Sequence, residues 1–346
     1  MKVLITGGLG FVGINLARYL AQTMKDARII AADVNVADAA TLAFLKPVAN
    51  RVHIARLDVT DRAALRDLVQ SHAITHIVHA AAITPTDQQE QAQAPLVVDV
   101  NLGGVINVLD VALESPSVER LLLCSSSGVY GAPQTLAKVP NLRKGQIEDA
   151  PLQLDNLYTI TKHSAELLAA RFSALSGKPM ASARLAAIYG PLERPTGSRE
   201  RTSHVERLRA ALQAGRTVRV AGPDVPRDWT YTLDMGEAIR ALLGAPRWNH
   251  SIYNVSCGQA ATFRQIVEAF VARGLRVEWV SDPAEAEIAM RPEQARAPLD
   301  ISRLQRDAGF VPRYDWAAGS ADYLALPSLS PQARVAARRR VKEVKP

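Results

Sequence analysis

Lys2-Val-Leu-Ile-Thr-Gly-Gly-Leu-Gly-Phe-Val-Gly13 is the stretch that decides the fold of this 346-residue chain. Val3–Ile5 is a short apolar run, typical of a strand that is buried on both faces. Apolar residues at helical spacing follow over residues 14–20, and glycines at 7, 8, 10 and 13 separate the two segments. A strand, a glycine-rich turn and a helix in this order predict a dinucleotide-binding turn, where the pyrophosphate approaches the backbone at the positive end of the helix.

Asp33 supplies a second part of such a site. It follows the apolar run Ile29-Ile-Ala-Ala32, at the distance where a carboxylate accepts hydrogen bonds from the adenosine ribose. The same negative charge repels a 2′-phosphate, so the sequence predicts NAD rather than NADP as the cofactor. The alternative is a glycine turn that binds no ligand, which the combination of strand, helix and acid disfavours.

Composition excludes several classes of protein. With 48% apolar residues, the chain can bury a large core in one large domain or two. We find no apolar run of the roughly 20 residues that cross a bilayer, and the opening strand argues against a signal or transit peptide. Cys124 and Cys257 are the only cysteines, too few for a disulfide framework or a thiolate metal site. We therefore expect a cytoplasmic protein with no metal and no membrane partner.

The formal charge of +7 comes largely from the end of the chain, residues 333–346. No aromatic residues interleave with these basic ones, as they would in a protein that stacks on single-stranded nucleic acid. We therefore expect no nucleic-acid partner and interpret the segment as a solvated or frayed helical tail. Weak contact with an acidic surface is the alternative.

Apolar strand-like runs alternate with helical patterns along the first half of the chain. This alternation predicts an α/β fold with a doubly wound parallel sheet and right-handed crossovers. Asp61 is expected to cap the helix that follows the third strand. The other predicted elements are a third strand ending at Asp58, a fourth over Ile74–Ala82, a polar loop over 85–95, a helix from Val98 and a fifth strand over 118–124.

Several motifs in this order resemble those of one family. They are Thr6-Gly-Gly-Leu-Gly-Phe-Val-Gly13, Asp58-Val59, Ala80-Ala-Ala82, Asn101, Ser125-Ser-Ser-Gly-Val-Tyr-Gly131, Tyr158-Thr-Ile-Thr-Lys162, Ala187-Ile-Tyr-Gly-Pro191, Arg227-Asp-Trp-Thr-Tyr-Thr-Leu-Asp234 and Tyr253-Asn-Val-Ser-Cys-Gly258. Together they resemble an extended short-chain dehydrogenase/reductase. Within it, the sequence is most similar to the NAD-dependent epimerase/dehydratase family of sugar-nucleotide enzymes, from residue 1 to about residue 320.

The resemblance implies a chain that crosses between two lobes. A Rossmann-type NAD-binding domain would comprise residues 1–187 and 227–256, and a smaller C-terminal α/β substrate lobe residues 188–226 and 257–325, with 326–346 as the basic tail. It also implies a homodimer, in which the helices beginning near Asn101 and Leu157 pair with those of a second copy. The apolar side chains expected at that contact are Val105, Leu109, Leu113, Leu167 and Leu168, although some of them must instead cover the sheet.

Tyr158 and Lys162 lie four residues apart and are therefore neighbours on one helical face. A tyrosine phenol, with a reference pKa near 10, acts as a base at neutral pH when positive charge favours its phenolate. An ammonium and a nicotinamide ring supply such charge, so the pair is predicted to be catalytic. The alternative is a chance pair on a solvated helix.

In the resembling family the catalytic hydroxyl lies four residues before the tyrosine of Val-Tyr-Gly, which selects Ser126. Ser125 and Ser127 are expected to be structural because alternate residues of a strand face opposite sides. Ser127 is nevertheless kept among the candidate substrate residues. For Asn101, the resemblance implies that it positions the cofactor or a water, and an ordinary helix N-cap is the alternative.

The candidate site is therefore large. The candidate cofactor residues are Gly7, Gly10, Phe11, Val12, Gly13, Asp33, Asp58, Val59, Ala80, Ala81, Ala82, Asn101, Tyr158, Lys162 and Ile188. The candidate substrate residues are Thr84, Ser126, Ser127, Arg194, Arg227 and Arg291. The arginines are expected to bind an anion, and the alternative is that they only keep the protein soluble.

The residues that follow Ser126 limit the types of reaction that the chain is expected to catalyse. Resembling dehydratases place Asp and Glu at the positions of Ser127 and Gly128, and decarboxylating relatives place Glu at the second of them. Relatives that epimerise at two carbons use a Cys just after the catalytic serine, whereas Cys124 precedes it here. The remaining residues suffice for hydride removal and return to the opposite face, or for a single net oxidation.

Ala187 departs from the pattern, because many sugar-nucleotide members carry an Asn there that contacts the diphosphate. Either residues 193–201 replace this contact or the substrate lacks a diphosphate. Three hypotheses follow. The first is a nucleotide-sugar epimerase similar to UDP-glucose 4-epimerase that works through a keto intermediate, and the second is an NAD-dependent dehydrogenase of a non-nucleotide sugar or polyhydroxy acid. The least favoured is a non-catalytic NAD-binding scaffold.

Overall fold

The computed structural model describes residues 1–132 and 145–326, so the expected basic tail beyond Leu326 lies outside the described residues. The strands are β1 Lys2–Thr6, β2 Arg28–Asp33, β3 Val52–Arg56, β4 His76–His79, β5 Arg120–Ser126, β6 Met180–Leu185, β7 Ala187–Tyr189, β8 Thr217–Ala221, β9 Pro226–Tyr231, β10 Ile252–Val255, β11 Ala260–Thr262, β12 Arg276–Trp279 and β13 Ile288–Ala289. The α-helices are α1 Phe11–Thr23, α2 Ala39–Leu45, α3 Arg62–Ser71, α4 Asp87–Val98, α5 Gly104–Glu114, α6 Leu157–Ser176, α7 His204–Gln213, α8 Thr232–Gly244, α9 Phe263–Val271, α10 Ser302–Ala308 and α11 Trp316–Ala325.

Seven parallel strands form the large sheet, in the order β3-β2-β1-β4-β5-β6-β10. Helices cover both faces, and the two apolar cores lie between sheet and helices, which confirms the predicted Rossmann-type α/β class. The strand order reverses between β1 and β4. In open α/β sheets ligands bind outside the carboxyl ends of the strands at such a switch point, so this edge is where the site belongs.

The smaller lobe contains two three-stranded sheets, β11-β9-β7 and β12-β8-β13. The expected boundary at residue 227 is wrong, because β9 pairs with β7 and β11 rather than with the large sheet. The physical reason is burial: Trp229 and Tyr231 lie in the core of the smaller lobe. The chain returns to the large sheet through α8, which packs on α1, and then through β10.

The polar segment expected to be a loop over 85–95 is instead α4. Thr86 caps it: its hydroxyl accepts a hydrogen bond from Gln89 N, and the Gln89 side chain accepts one from Thr86 N. The sequence contains this capping box as Thr-x-x-Gln, and the segment forms a helix despite its polar composition. A single π-helical segment, Asp99–Gly103, then joins α4 to α5.

The helical run over residues 87–114 is, by length and composition alone, apolar enough to cross a membrane, contrary to the sequence-based expectation. Val105, Val108 and Leu109 in it are buried against the sheet, as in a core helix that passes the same test. This burial also corrects the expected dimer contact. Val105 and Leu109 face the sheet, Leu113 and Leu168 are half-buried, and Leu167 is 59% exposed.

Candidate active site

The turn after β1 brings backbone unusually close to backbone. Gly7 has a φ of +65°, and a Cβ there would lie 2.6 Å from Ala81 N. A Cβ on Gly13 would lie 2.2 Å from Gly7 O. Gly10 is the N-cap of α1 and makes no side-chain bond, so the first N–H groups of the helix, including those of Phe11 and Val12, remain for an anion.

Asp33 ends β2 at the same edge of the sheet. Its buried carboxylate accepts hydrogen bonds from Leu9 N at 3.0 Å and from both the main-chain and side-chain nitrogens of Asn35 at 2.9 Å. These bonds fix the carboxylate at the carboxyl end of the strand, where its other lone pairs can accept from ribose hydroxyls. Two residues beyond β3, Asp58 is exposed and binds Thr60, while Val59 is buried.

Asn101 is not a helix N-cap, which corrects that alternative. It lies buried in the π-helical segment, where its side-chain oxygen accepts from Ile83 N at 2.8 Å and its amide donates to Ile83 O and Thr161 Oγ1 at 3.0 and 3.2 Å. It therefore joins the loop after β4, which contains residues 80–82, to the helix of Tyr158. A positioning role is what this geometry supports.

Tyr158 and Lys162 lie in the first turns of α6, as predicted. Asn156 caps this helix with Thr159, and the Glu90 carboxylate accepts a hydrogen bond from Leu157 N at 2.8 Å. Lys162 is buried, and its Nζ donates to the Cys124 carbonyl at 2.8 Å and lies 5.7 Å from the Tyr158 ring centroid. The ammonium is therefore held beside the tyrosine ring.

Ser126 ends β5 at the same edge of the sheet. Its Oγ accepts a hydrogen bond from Gly128 N at 3.0 Å, so its own proton is free to be donated to a substrate oxygen. Ser127 is buried. At Gly128, a Cβ would lie 3.2 Å from Ser126 Oγ and 3.3 Å from Thr159 Cγ2, so a larger residue there would crowd the hydroxyl.

A buried ion pair that sequence reasoning missed supports this region. The Glu166 carboxylate accepts hydrogen bonds from Arg184 Nε at 2.8 Å, from Arg184 Nη2 at 2.7 Å and from Ser125 Oγ at 2.5 Å. The one feature of the sequence that could have indicated this ion pair is the position of Glu166. It lies four residues after Lys162 and thus on the same face of α6. Ser125 is therefore structural, as expected.

Arg227 is half-buried in the smaller lobe, and its Nε is enclosed by protein. Its Nε has no hydrogen-bond partner within 1–132 and 145–326, and its guanidinium lies 5.6 Å from the Trp229 ring. Burial, and then the nearby Arg296 and Arg199, lower the pKa of Arg227 to about 10. Burial and the same guanidinium lower the pKa of His204 to about 4. Two neighbouring guanidinium groups, Arg227 and Arg296, that form no salt bridge with a carboxylate among the described residues are typical of a site that binds an anion.

Two of the expected substrate arginines lie elsewhere. Arg291 is exposed at the start of the turn over Pro292–Gln294, and Arg296, just past that turn, lies beside Arg227 instead. Arg194 pairs with Asp38 at 2.8 Å and donates to Thr41 Oγ1 at 2.7 Å, near the start of α2. The sequence shows two arginines five positions apart, but the turn decides which one is exposed and which one is half-buried beside Arg227.

The loop over 193–201 contacts the cofactor half of the site. Thr84 is exposed, and its main-chain N–H donates to Ser198 O at 2.8 Å. Arg199 pairs with the buried Glu193 at 2.8 Å, and its guanidinium lies 5.9 Å from the Phe11 ring. Ile188 is half-buried against the core of the large sheet. The loop and Arg199 thus connect the glycine turn to the arginine cluster.

Asp228 holds the smaller lobe together beside Arg227. Its fully buried carboxylate accepts hydrogen bonds from Leu299 N at 3.0 Å, from Thr230 Oγ1 at 3.1 Å and from Ser256 Oγ. Burial raises the pKa of Asp228 to about 6 against the opposing effect of these bonds. The carboxylate joins β9 to the end of β10 and to the segment that carries Arg296.

Comparison with known proteins gives a consistent result. A sequence model of the NAD dependent epimerase/dehydratase family matches residues 3–256. A dTDP-glucose 4,6-dehydratase from an Actinoplanes species is 27% identical over 337 residues, covering 94% of this chain and 97% of that protein. A UDP-glucuronate 4-epimerase from Thermodesulfobacterium geofontis is 26% identical over 275 residues, covering 77% and 78%.

Solved structures show the same fold. A UDP-glucose 4-epimerase from Thermotoga maritima, determined with UDP-glucose, superposes with a TM-score of 0.77 at 18% identity and covers 94% of this chain and 97% of its own. A UDP-glucose 4-epimerase from Thermus thermophilus in complex with NAD gives a TM-score of 0.73 at 22% identity, with 94% and 98% covered. Epimerases and dehydratases thus share the architecture described here.

Proposed function

Because this chain belongs to the NAD-dependent epimerase/dehydratase family, we propose that it is an epimerase of a nucleotide sugar. One observation carries the choice over a dehydratase. The positions after Ser126, where resembling dehydratases place their acid and base, hold Ser127 and Gly128. Neither can expel water, and a Cβ at Gly128 would be in tight contact with Ser126 Oγ and Thr159 Cγ2, at 3.2 and 3.3 Å.

The cofactor of this family is NAD, and residues of this chain fit it. The closely packed glycine turn and the uncapped N-terminus of α1 would hold the pyrophosphate, and Asp33 would accept from the adenosine ribose. Lys162 and Asn101 lie at the same edge of the sheet and would hold the nicotinamide half of the cofactor. When bound, NAD would supply reversible hydride transfer, so that the same sugar carbon can be oxidised and then reduced on its opposite face.

The residues of this chain move the proton. Tyr158, as phenolate, would take the proton from the sugar hydroxyl while Ser126 donates a hydrogen bond to the same oxygen. Lys162, fixed by the Cys124 carbonyl, holds positive charge beside the tyrosine ring. After the keto sugar has rotated in the site to present its other face, Tyr158 would return the proton, so that no net proton is released.

The smaller lobe would hold the anionic part of the substrate. Arg227 and Arg296 provide half-buried guanidinium groups, where a phosphate would neutralise charge that the fold leaves uncompensated. Solved structures with this fold contain UDP-glucose or UDP-glucuronic acid, according to their descriptions. A nucleoside diphosphate sugar is therefore the substrate class that we propose.

Ala187 supports a second candidate, a dehydrogenase of a non-nucleotide sugar or polyhydroxy acid. The residue is part of β7 and carries no polar group where the Asn of many sugar-nucleotide members contacts the diphosphate. A polyhydroxy acid with a single carboxylate carries less negative charge than a diphosphate, so it would need fewer of these arginines for binding. This candidate releases one proton and one reduced cofactor for each turnover.

We also propose a cytoplasmic homodimer. Cys124 and Cys257 are free and buried, which suits a reducing compartment. Exposed apolar side chains lie on the outer faces of three neighbouring helices and would be covered in a dimer. They are Leu96, Val98, Ile106, Ile160, Leu167 and Leu175. Light scattering at micromolar concentration should give twice the chain mass.

The experiment that tests the proposal is incubation of the purified holoenzyme with UDP-glucose, UDP-glucuronate and dTDP-glucose, with products separated by chromatography. An epimerase converts a sugar into its epimer of equal mass and leaves no net NADH absorbance. NADH formed in proportion to product would instead identify a dehydrogenase. A product lighter by one water would identify a dehydratase and overturn the argument from residues 127 and 128.

A further inference from the structure

A small internal cavity lies beside the ammonium of Lys162, between β4, β5, β6 and the helices α5 and α6. Its volume, measured as the space open to the centre of a water molecule, is about 10 Å³. One water needs roughly this much room. Polar residues form much of its lining, including His79, Ser125, Lys162, Glu166 and Ser182. A polar cavity of this size is filled by water, whereas the cavities that stay dry are apolar.

Two side-chain atoms on this lining have no partner in the part of the chain that the structure describes: His79 Nε2 and Ser182 Oγ. Both residues are at most 1% exposed, so bulk water does not reach them. The other side of the His79 ring is fixed, because Nδ1 lies 2.7 Å from Thr6 Oγ1. A buried polar atom without a partner is costly, so the fold requires a third group between these atoms.

Apart from Lys162, the other polar groups around the cavity are already satisfied. The Glu166 oxygens accept from Ser125 and Arg184, and His163 lies 3.2 Å from them. Burial raises the pKa of the Cys124 thiol to about 11, so it is neutral. The Lys162 ammonium has three donors and, among the described residues, one acceptor, the Cys124 carbonyl. It therefore has N–H groups to spare.

The charge state of His79 sets the direction of hydrogen bonding. Burial, and then the charge of Lys162, lower the pKa of His79 to about 3, so the ring is neutral at physiological pH. One ring nitrogen is then an acceptor. Because the ammonium can only donate, the arrangement with Nδ1–H donated to Thr6 Oγ1 and the lone pair of Nε2 facing the cavity is the favourable one.

We propose that one ordered water occupies this cavity, accepts a hydrogen bond from Lys162 Nζ, donates one to His79 Nε2 and has Ser182 Oγ as its third partner. His79 thereby acts as a positioning residue for the ammonium, in a role that rests on the proposed catalytic function of Tyr158 and Lys162. The water stabilises the charged form of the lysine, and the charged lysine favours the tyrosine phenolate. His79 thus influences the chemistry without touching the substrate.

The first test is a crystal structure of the NAD-bound protein at a resolution that shows waters. The expected result is a density peak within hydrogen-bond distance of Lys162 Nζ and His79 Nε2. This arm needs no substrate, so it is independent of whether the epimerase proposal holds. An empty cavity overturns the inference whatever the activity proves to be.

The second test compares three variants of the holoenzyme by the pH profile of turnover, NAD affinity and melting temperature. His79→Leu should move the acidic limb of the profile to higher pH and lower turnover at neutral pH roughly three- to tenfold, the scale of one hydrogen bond shared with a charge. NAD affinity should be unchanged. His79→Gln, which can place a polar atom near the position of Nε2, should restore most of the loss.

His76→Leu is the matched control. His76 is also buried and lies three residues earlier in β4, hence on the opposite face of the sheet, where its Nδ1 lies 2.8 Å from Thr75 Oγ1. A similar loss of stability but an unmoved acidic limb is expected. Equal shifts in both leucine variants, or no shift in a folded His79→Leu, overturn the positioning role. If His79→Leu does not fold, Ser182→Ala decides, with a smaller upward shift expected and no shift contradicting the inference.

Discussion

The proposed cofactor side and the proposed substrate side of this site offer opposite kinds of group to a negatively charged ligand. At the cofactor side these would be backbone N–H groups of the turn and first helical residues over Gly7–Gly13, where the glycines have no side chain to prevent a close approach. At the substrate side they would be guanidinium groups, and Arg199, Arg227 and Arg296 come from three distant segments. A backbone site is therefore local in sequence, whereas a side-chain site exists only after the lobe has folded.

The two sides also treat buried charge differently. Near Tyr158 the buried Arg184 has a carboxylate partner, Glu166, so that charge is neutralised within the fold. Arg227 is half-buried with its Nε enclosed by protein, and no ion pair with a carboxylate is found for it in the described parts of the chain. Such a charge is costly in the free protein and favourable once an anion binds. Arg184 is therefore part of the framework, and Arg227 is the arginine that we propose for the substrate.

The largest effect is expected at the cofactor side, for Tyr158→Phe. The ring keeps its packing, but no proton acceptor remains, so turnover should fall by roughly 10²- to 10⁴-fold. NAD affinity, measured by isothermal titration calorimetry, should stay within about threefold of wild type. Tyr314→Phe, in the aromatic cluster around Tyr231, is the control. Turnover within tenfold of wild type would exclude Tyr158 as the base.

The next largest effect is expected at the substrate side. Arg227→Ala should raise the KM for a nucleotide sugar by about 10- to 100-fold, which is the cost of one charge-assisted contact. Because this arginine lacks a carboxylate partner, its loss should not lower the melting temperature much. Arg296→Ala should act in the same direction, whereas the exposed Arg291→Ala should leave KM unchanged. Equal effects of Arg291→Ala and Arg296→Ala would contradict the arrangement described here.

Asp228 gives a third test, through the pH dependence of stability. Its pKa is raised to about 6 in the fold from 3.8, so the native state binds the extra proton. This contribution to the free energy of unfolding is fully present below about pH 4 and is lost as pH rises through about 6. Relative to Asp228→Asn, wild type should therefore lose roughly 1 to 3 kcal/mol between pH 4 and pH 7.

Urea unfolding at several pH values measures this difference. Asp224→Asn, which removes an exposed carboxylate four residues earlier, is the control and should leave the pH dependence of wild type in place. A difference between wild type and Asp228→Asn that stays constant across pH would mean that the Asp228 carboxylate does not titrate in this range.

The smallest effect concerns Asp33→Ala, which should weaken NAD about tenfold, the loss of hydrogen bonds to a ribose. NADP should bind better relative to NAD, since the repulsion of its phosphate goes with the carboxylate. Competition binding measures the ratio, and Asp58→Ala, at an exposed residue just beyond β3, should change it less. An unchanged ratio in Asp33→Ala would assign ribose selection to another residue.

The same contrast explains what could be predicted from the sequence. The parallel sheet, the glycine turn, Asp33 and the Tyr158/Lys162 pair could be predicted from local spacing. The structure places the turn, Asp33 and the pair together at the carboxyl edge of that sheet. The sequence could not show that Arg296 rather than Arg291 lies beside Arg227, because a short turn decides which of the two is exposed. The ion pair of Glu166 with Arg184 and the cavity beside Lys162 depend on contacts between elements, which no local pattern reports.

The position of β10 has a consequence for synthesis of the chain. It completes the large sheet by pairing with β6, Ile252 opposite Ser182, although 66 residues separate the two strands. At the roughly 5 to 20 residues per second of translation, β6 waits about 3 to 13 seconds without its neighbour. During that time its open edge is a template for pairing with other strands. The nascent chain therefore passes through an interval of high aggregation risk, which ends only when residues 186–251 have been made and β10 has docked.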